Sequence, residues 1–212
     1  MSIVRTHISV SLDGYVAGPN QSLEDPLGEG GERLHDWLIA LQVWREAAGW
    51  EGGEENASSP VVRDSFANVG AEIMGRGKFG PPGGGPWGDD PWRGWWGETP
   101  PFHKPVFVVT SHPRDPLTLG DTTFTFVTDG IHAALDLARQ AAGGKDVFIG
   151  GGAQVINQYL AAGLLDELEL HVVPILMGGG ARLFEGVGPL RLEQVRVVEG
   201  PGVAHLKYLV VR

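Results

Sequence analysis

Three short segments carry residue types suited to gripping an anionic, nucleotide-like ligand. Gly150-Gly151-Gly152 closes an apolar strand pattern, and a helix pattern opens at Ala153-Gln154-Val155. Glycine has no Cβ, so the main chain can lie against a ligand, and the first amides of a helix present the positive end of its dipole. A pyrophosphate suits that geometry, and so does a tight strand-to-helix turn with no ligand. Gly75-Arg76-Gly77-Lys78-Phe79-Gly80 ends a second strand pattern and matches G-x-G-x-x-G literally. A Rossmann fingerprint also needs a helix to open there. Pro81-Pro82-Gly83-Gly84-Gly85-Pro86 follows, so no helix of any length is expected. What remains is a strand end presenting Arg76 and Lys78 as an anion clamp. Thr110-Ser111-His112-Pro113-Arg114 closes a third strand pattern. Ser111 with Arg76, and Arg114 nearby, are the types that hold an adenosine 2′-phosphate. In open α/β sheets ligands sit beyond the carboxyl ends of the strands, and one dinucleotide would touch all three ends.

Other chemistries find no support. No P-loop pattern and no G-x-S-x-G nucleophile turn occurs. The seven histidines show no metal-ligand spacing, and there is no cysteine for a thiolate, a disulfide or a zinc site. A formal net charge of −10 argues against nucleic acid as a partner. No apolar run reaches the roughly 20 residues that span a bilayer, and the N-terminus has no signal-peptide core, so a cytoplasmic protein is expected.

The elements that must position these residues follow from periodicity. Strand patterns occupy Ile3 to Val10, Ala71 to Met74, Val106 to Thr110, Phe124 to Val127, 147–149 and 168–174. Leu34, Trp37, Leu38, Leu41 and Trp44 fall at helical spacing, and Gly49 to Pro60 reads as a mobile surface loop. Thr128-Asp129 is an N-cap for a helix from Ile131 to Ala142, and 153–162 is another helix. Val195 to Val198 and Leu206 to Val211 read as an antiparallel pair. Alternation of this kind predicts an α/β fold: one domain over 1–212, a central mostly parallel sheet flanked by helices, and antiparallel C-terminal edge strands. Residues 80–105 form a long Gly/Pro/Trp-rich insertion containing Trp87, Trp92, Trp95 and Trp96. That much apolar surface must cover something: a flat substrate, a second subunit or the protein's own sheet.

With these positions in hand, the chain resembles the dihydrofolate reductase superfamily, and within it the stand-alone relatives of the reductase domain of the bifunctional riboflavin-biosynthesis deaminase-reductase. The resemblance runs nearly end to end, through Ile8-Ser9-Val10-Ser11-Leu12-Asp13-Gly14-Tyr15-Val16-Ala17, Met74-Gly75-Arg76, Val109-Thr110-Ser111, Ile149 to Val155, Leu165 to Pro174 and Gly178 to Phe184. It implies NADPH-dependent hydride transfer to a pterin- or pyrimidine-like heterocycle, with dihydrofolate and the ribosylamino-pyrimidine of riboflavin synthesis as the named possibilities. It also implies a homodimer. By position, Ser9, Val10, Val16 and Ala17 would border the nicotinamide. Gly75, Arg76, Gly77, Gly150, Gly151, Gly152, Ala153, Gln154 and Val155 would border the phosphates, and Thr110, Ser111 and His112 the adenosine phosphate. Asp36 is the candidate for the acid that the folate enzyme carries on its first helix, with Glu32 second. Trp37 and His171 would line the substrate pocket. The contrasting expectation is a nucleotide-binding protein that keeps the fold without catalysis.

Overall fold

A computed structural model describes residues 2–89 and 91–211. One nine-stranded sheet organises the molecule, in the order β10-β11-β8-β1-β7-β3-β4-β6-β5. Its parallel block is built from β1 (Val4–Ser11), β3 (Val69–Gly75), β4 (Val106–Val109), β6 (Thr122–Val127), β7 (Asp146–Gly151) and β8 (Glu167–Val173). Antiparallel strands finish both sides: β5 (Leu117–Leu119) on β6, and the hairpin β10 (Arg191–Gly200) and β11 (Val203–Val211) on β8. A register shift between Gln194 and Arg196 marks a bulge in β10. The short strands β2 (Tyr15–Ala17) and β9 (Ala181–Arg182) pair separately.

Alternation along each strand divides the sheet into two chemically different faces. Val4, Val10, Ala71, Ile73, Val147, Ile149 and Leu168 point to one face and bury against α5 (Gly130–Ala141) and α6 (Ala153–Ala161). Leu135, Ile156, Tyr159 and Leu160 fill the space between, and Tyr159 donates its hydroxyl to the Ile131 carbonyl at 2.7 Å.

The opposite face has two separate covers. Over β3, β4 and β6, the tryptophan-rich segment lies on Met74, Val106, Val108, Phe124 and Phe126, with Phe79 and Phe102 wedged between. Three of its four half-buried indoles also find an acceptor: Trp87 donates to the His112 carbonyl, Trp92 to that of Phe79 and Trp95 to that of Lys78. The segment therefore covers the protein's own sheet. Over β1, β8 and β11, the cover is a 3-10 turn (Gly31–Leu34), α1 (Asp36–Ile39), α2 (Gln42–Ala47) and α3 (Ser58–Phe66). The seam between the covers passes over β7, where Phe148 and Gly150 face upward.

Two sequence expectations change. The residues of α3 were expected to begin as mobile loop, yet the helix starts at Ser58, and Pro60 sits in its first turn, where the missing amide costs nothing. The stretch 34–44 is a broken series of short helices, interrupted where Leu41 is extended. No helix among the described residues is long and apolar enough to cross a membrane.

Candidate active site

The prolines after Gly80 do not abolish the helix expected to be absent. They limit it to one turn, α4 (Arg76–Phe79), because the chain has no donors with which to continue. That single turn sends its two cations in different directions. The Arg76 guanidinium lies 3.8 Å from the centre of the Trp87 ring and donates to the Gly80 carbonyl. Arg114 approaches the same ring at 4.9 Å and also reaches the Trp92 carbonyl. Burial lowers the pKa of both guanidiniums, and their mutual proximity lowers that of Arg76 further. Among the described residues neither has a carboxylate partner. Two like charges held close together, each bonded only to backbone carbonyls among those residues, have the chemistry to attract an anion. Ser111 is exposed, three residues before Arg114 in the chain, and follows Thr110, whose hydroxyl accepts from the His112 amide.

Lys78 turns the other way, onto the sheet. Its ammonium donates to Glu72 Oε1 and to the Gly150 carbonyl, both at 2.9 Å. The three glycines consequently do three different things. A Cβ on Gly150 would strike the Glu72 carboxylate and lie 2.8 Å from Lys78 Nζ, so this glycine makes room for the ion pair. Gly151 has φ +97°, which L side chains rarely adopt. Gly152 faces open space and precedes α6 without a side-chain cap, leaving the first amides of that helix free to meet a ligand. Gly75 brings β3 against α6, since its Cβ would sit 2.9 Å from Val155 Cγ2.

Across the seam the sheet carries a row of imidazoles. His7 stacks on Phe148 at 4.5 Å, and its Nε2 is buried without a partner. Burial, reinforced by Lys78, Arg5 and Lys207, pushes its pKa down to about 3. His171 lies beside it, with its Nδ1 2.8 Å from Nδ1 of His205, and His205 in turn meets the Ser58 hydroxyl at 2.8 Å. Burial holds His171 well below the ordinary range and brings His205 down to about 4. Trp37 packs against both rings and donates to Ser9 Oγ at 3.1 Å. Of the expected pocket residues, then, Trp37 and His171 are together and buried. Asp36 is exposed and lines a shallow cleft with Arg33, Val173, Pro174 and Pro201. Its neighbour His35 is the one turned inward, with its pKa lowered by burial and by the charge of Lys78.

Ser9, Val10, Val16 and Ala17 are buried around the end of β1, where Asp13 anchors the following loop. Asp13 accepts from the Ser11 hydroxyl and from the amides of Met177 and Gly178. Those bonds, the serine first, take its pKa down to about 2. Ala153 and Val155 are buried on α6, whereas Gln154 and Gly77 are exposed.

Residues 2–206 match the family described as the RibD C-terminal domain. The chain belongs to that family. The uncharacterized protein YwjB of Bacillus subtilis (strain 168) is 26% identical over 186 residues, covering 84% of this chain and 80% of its own. A putative riboflavin biosynthesis protein from Shewanella sp. PV-4 superposes with a TM-score of 0.63 at 21% identity, over 99% of both chains. The dihydrofolate reductase of Enterococcus faecalis, complexed with NADP(H), superposes with a TM-score of 0.53 at 12% identity, over 98% of this chain and 96% of the other. The fold is dihydrofolate-reductase-like.

Sequence reasoning missed His7, His35, Glu72 and His205. The only signal within reach was the polar alternation Arg5, His7, Ser9, Ser11 along the first strand.

Proposed function

We propose that this RibD C-terminal domain protein is an NADPH-dependent reductase acting on a small pterin- or pyrimidine-like heterocycle. One observation carries the reading: an uncapped helix N-terminus beside an open glycine lies, like two guanidiniums without a carboxylate partner among the described residues, beyond the carboxyl ends of neighbouring parallel strands. Its likeness to a reductase complexed with NADP(H) supports the same reading.

In this reading the α6 amides from Ala153 to Val155, with Gly151 and Gly152, receive the cofactor's pyrophosphate. Arg76, Arg114 and Ser111 take the adenosine 2′-phosphate, with Thr110 and His112 shaping that loop and Gly75 and Gly77 allowing close approach. Ser9, Val10, Val16 and Ala17 exclude water from the nicotinamide. When bound, the cofactor supplies a hydride. The Trp37, His7 and His171 wall orients the heterocycle and keeps bulk water from it. The inward His35, not the exposed Asp36, lies nearer the charged groups of the seam, and its imidazole, kept neutral by burial and by Lys78, is placed to hydrogen-bond the heterocycle.

Tryptophan fluorescence tests the reading directly. NADPH should quench it and NADH should bind more weakly. Arg76→Ala should weaken NADPH binding by about ten- to a hundredfold, the equivalent of a charge-assisted contact of about 1.5–3 kcal/mol, while leaving NADH nearly unaffected. Equal binding of both nucleotides by the native protein would sink the cofactor assignment. The exposure of Asp36 favours a second reading, a nucleotide-binding protein without turnover. Loss of NADPH absorbance across a panel of dihydrofolate, pyrimidine and flavin substrates separates the two. Assembly as a homodimer is part of the proposal, supported by exposed Leu192, Val195, Val197 and Leu209 on the C-terminal hairpin, and light scattering tests it.

A further inference from the structure

The seam over β7 carries a second polar site that differs in charge logic from the arginine site. Lys78 has three N–H donors. Two are directed at Glu72 Oε1 and the Gly150 carbonyl, and nearly a third of the side chain remains exposed at 31%. Glu72 is buried, its side chain only 5% exposed, so the pair is charge-neutral and fixed to the sheet. Other cations on this face are also compensated: Arg5 by Asp146, Arg196 by Asp64 and Glu169, and Lys207 by Glu167. Beside the pair, His7 stacks on the buried Phe148 ring, and its own Nε2 is buried without a partner. Glu72 stands opposite Phe148 in the β3–β7 register, so the ion pair and the His7–Phe148 stack lie side by side on this face. Flat rings beside a few convergent polar atoms suit a planar ligand.

We propose that the Lys78–Glu72 pair is the specificity-determining group of this protein, and that it receives the ring carbonyl of an uncharged planar heterocycle and not a phosphorylated substrate group. The third Lys78 N–H donates to the carbonyl, and His7 Nε2 meets a second polar atom of the same ring edge. A phosphate at this position would gain little, because Glu72 already cancels the lysine charge. Anions are drawn instead to Arg76 and Arg114, on the other side of the same helical turn. This inference rests on the reductase reading for the placement of the substrate beside the glycine turn, but its test does not depend on turnover.

Isothermal titration with uracil and pterin, with uridine 5′-monophosphate, and with 2′,5′-ADP tests the assignment. Lys78→Met alone would leave Glu72 buried and uncompensated, so the decisive variant is Lys78→Met with Glu72→Gln, checked for native circular dichroism. The expected result is a loss of about tenfold or more in affinity for the better-binding neutral ring, with 2′,5′-ADP unchanged. Arg76→Ala should show the reverse pattern. Unchanged ring affinity in the double variant overturns the proposal. So does a phosphorylated pyrimidine that binds tenfold tighter than uracil through Lys78, and so does failure of both rings to bind the native protein. In each of these cases the 2′,5′-ADP titration still judges the cofactor reading by itself.

Discussion

Strand β1 serves two different interiors. Val4, Ile8 and Val10 face the layer of α5 and α6, where nearly every contact is apolar. Arg5, His7, Ser9 and Ser11 alternate with them and face the other cover, among Glu169, His171, His205 and Lys207. The apolar side draws its stability from excluded water, at about 25 cal/mol per Å² buried. The polar side must satisfy each buried group or leave it neutral, and it does both: the cations have carboxylates, while the imidazoles are held uncharged. One face therefore supplies stability that is indifferent to pH, and the other supplies chemistry whose stability depends on it.

The contrast can be broken first from the apolar side. Ile156→Ala should lower the unfolding free energy by about 3 kcal/mol, by the same amount at pH 5 and pH 8. A strongly pH-dependent loss would refute the separation of the faces. The imidazoles set the next effect. A histidine whose folded pKa is depressed adds nothing unfavourable above the unfolded value of about 6.5, but costs stability as pH falls below it, because only the unfolded chain then takes up the proton. Denaturant unfolding should show stability falling from pH 6.5 downward, levelling for His205 near 4 and for His7 near 3. Each neutral imidazole steepens that fall by at most about 1.4 kcal/mol per pH unit. A flat profile between pH 7 and 4.5 would remove the histidines from the account. Glu169→Gln is expected to cost about 1.5–3 kcal/mol, since it withdraws one of two carboxylates from a partly exposed Arg196, which keeps Asp64. High salt should shrink this difference and leave that of Ile156→Ala intact. The smallest change expected is local. Asp13→Asn should speed hydrogen exchange at Met177 and Gly178 without moving the global transition, and unaltered exchange there would mean the carboxylate does not hold the loop.

The parallel strands and their carboxyl ends were legible because β-branched runs punctuated by glycine need no tertiary information. The helix α3 was hidden, since Ser58-Ser59-Pro60 follows a glycine-rich stretch and three of its five buried residues are serine. The motif at 75–80 was read correctly as not Rossmann, yet the divergence of Arg76 and Lys78 depends on one turn of backbone that the sequence pattern did not suggest. Gly150 was assigned to a phosphate cradle on its neighbours, whereas its missing side chain accommodates Glu72 and Lys78. The imidazole row is assembled from residues nearly two hundred positions apart, and only the strand order β11-β8-β1 brings them together. His35 is the N-cap and Asp36 the first residue of a four-residue helix, too short for periodicity to say which of the two turns inward.

The bulge in β10 has a consequence for assembly. An uninterrupted ten-residue edge strand would offer its free amides and carbonyls to any other strand as a template. Slipping one residue at Val195 twists that row out of line, and charged Arg191, Glu193 and Arg196 flank the break. The opposite edge, β5, is only three residues long. Both margins are thus poor templates for strand addition, which leaves the exposed side chains of the hairpin, not its backbone, as the surface open to contact.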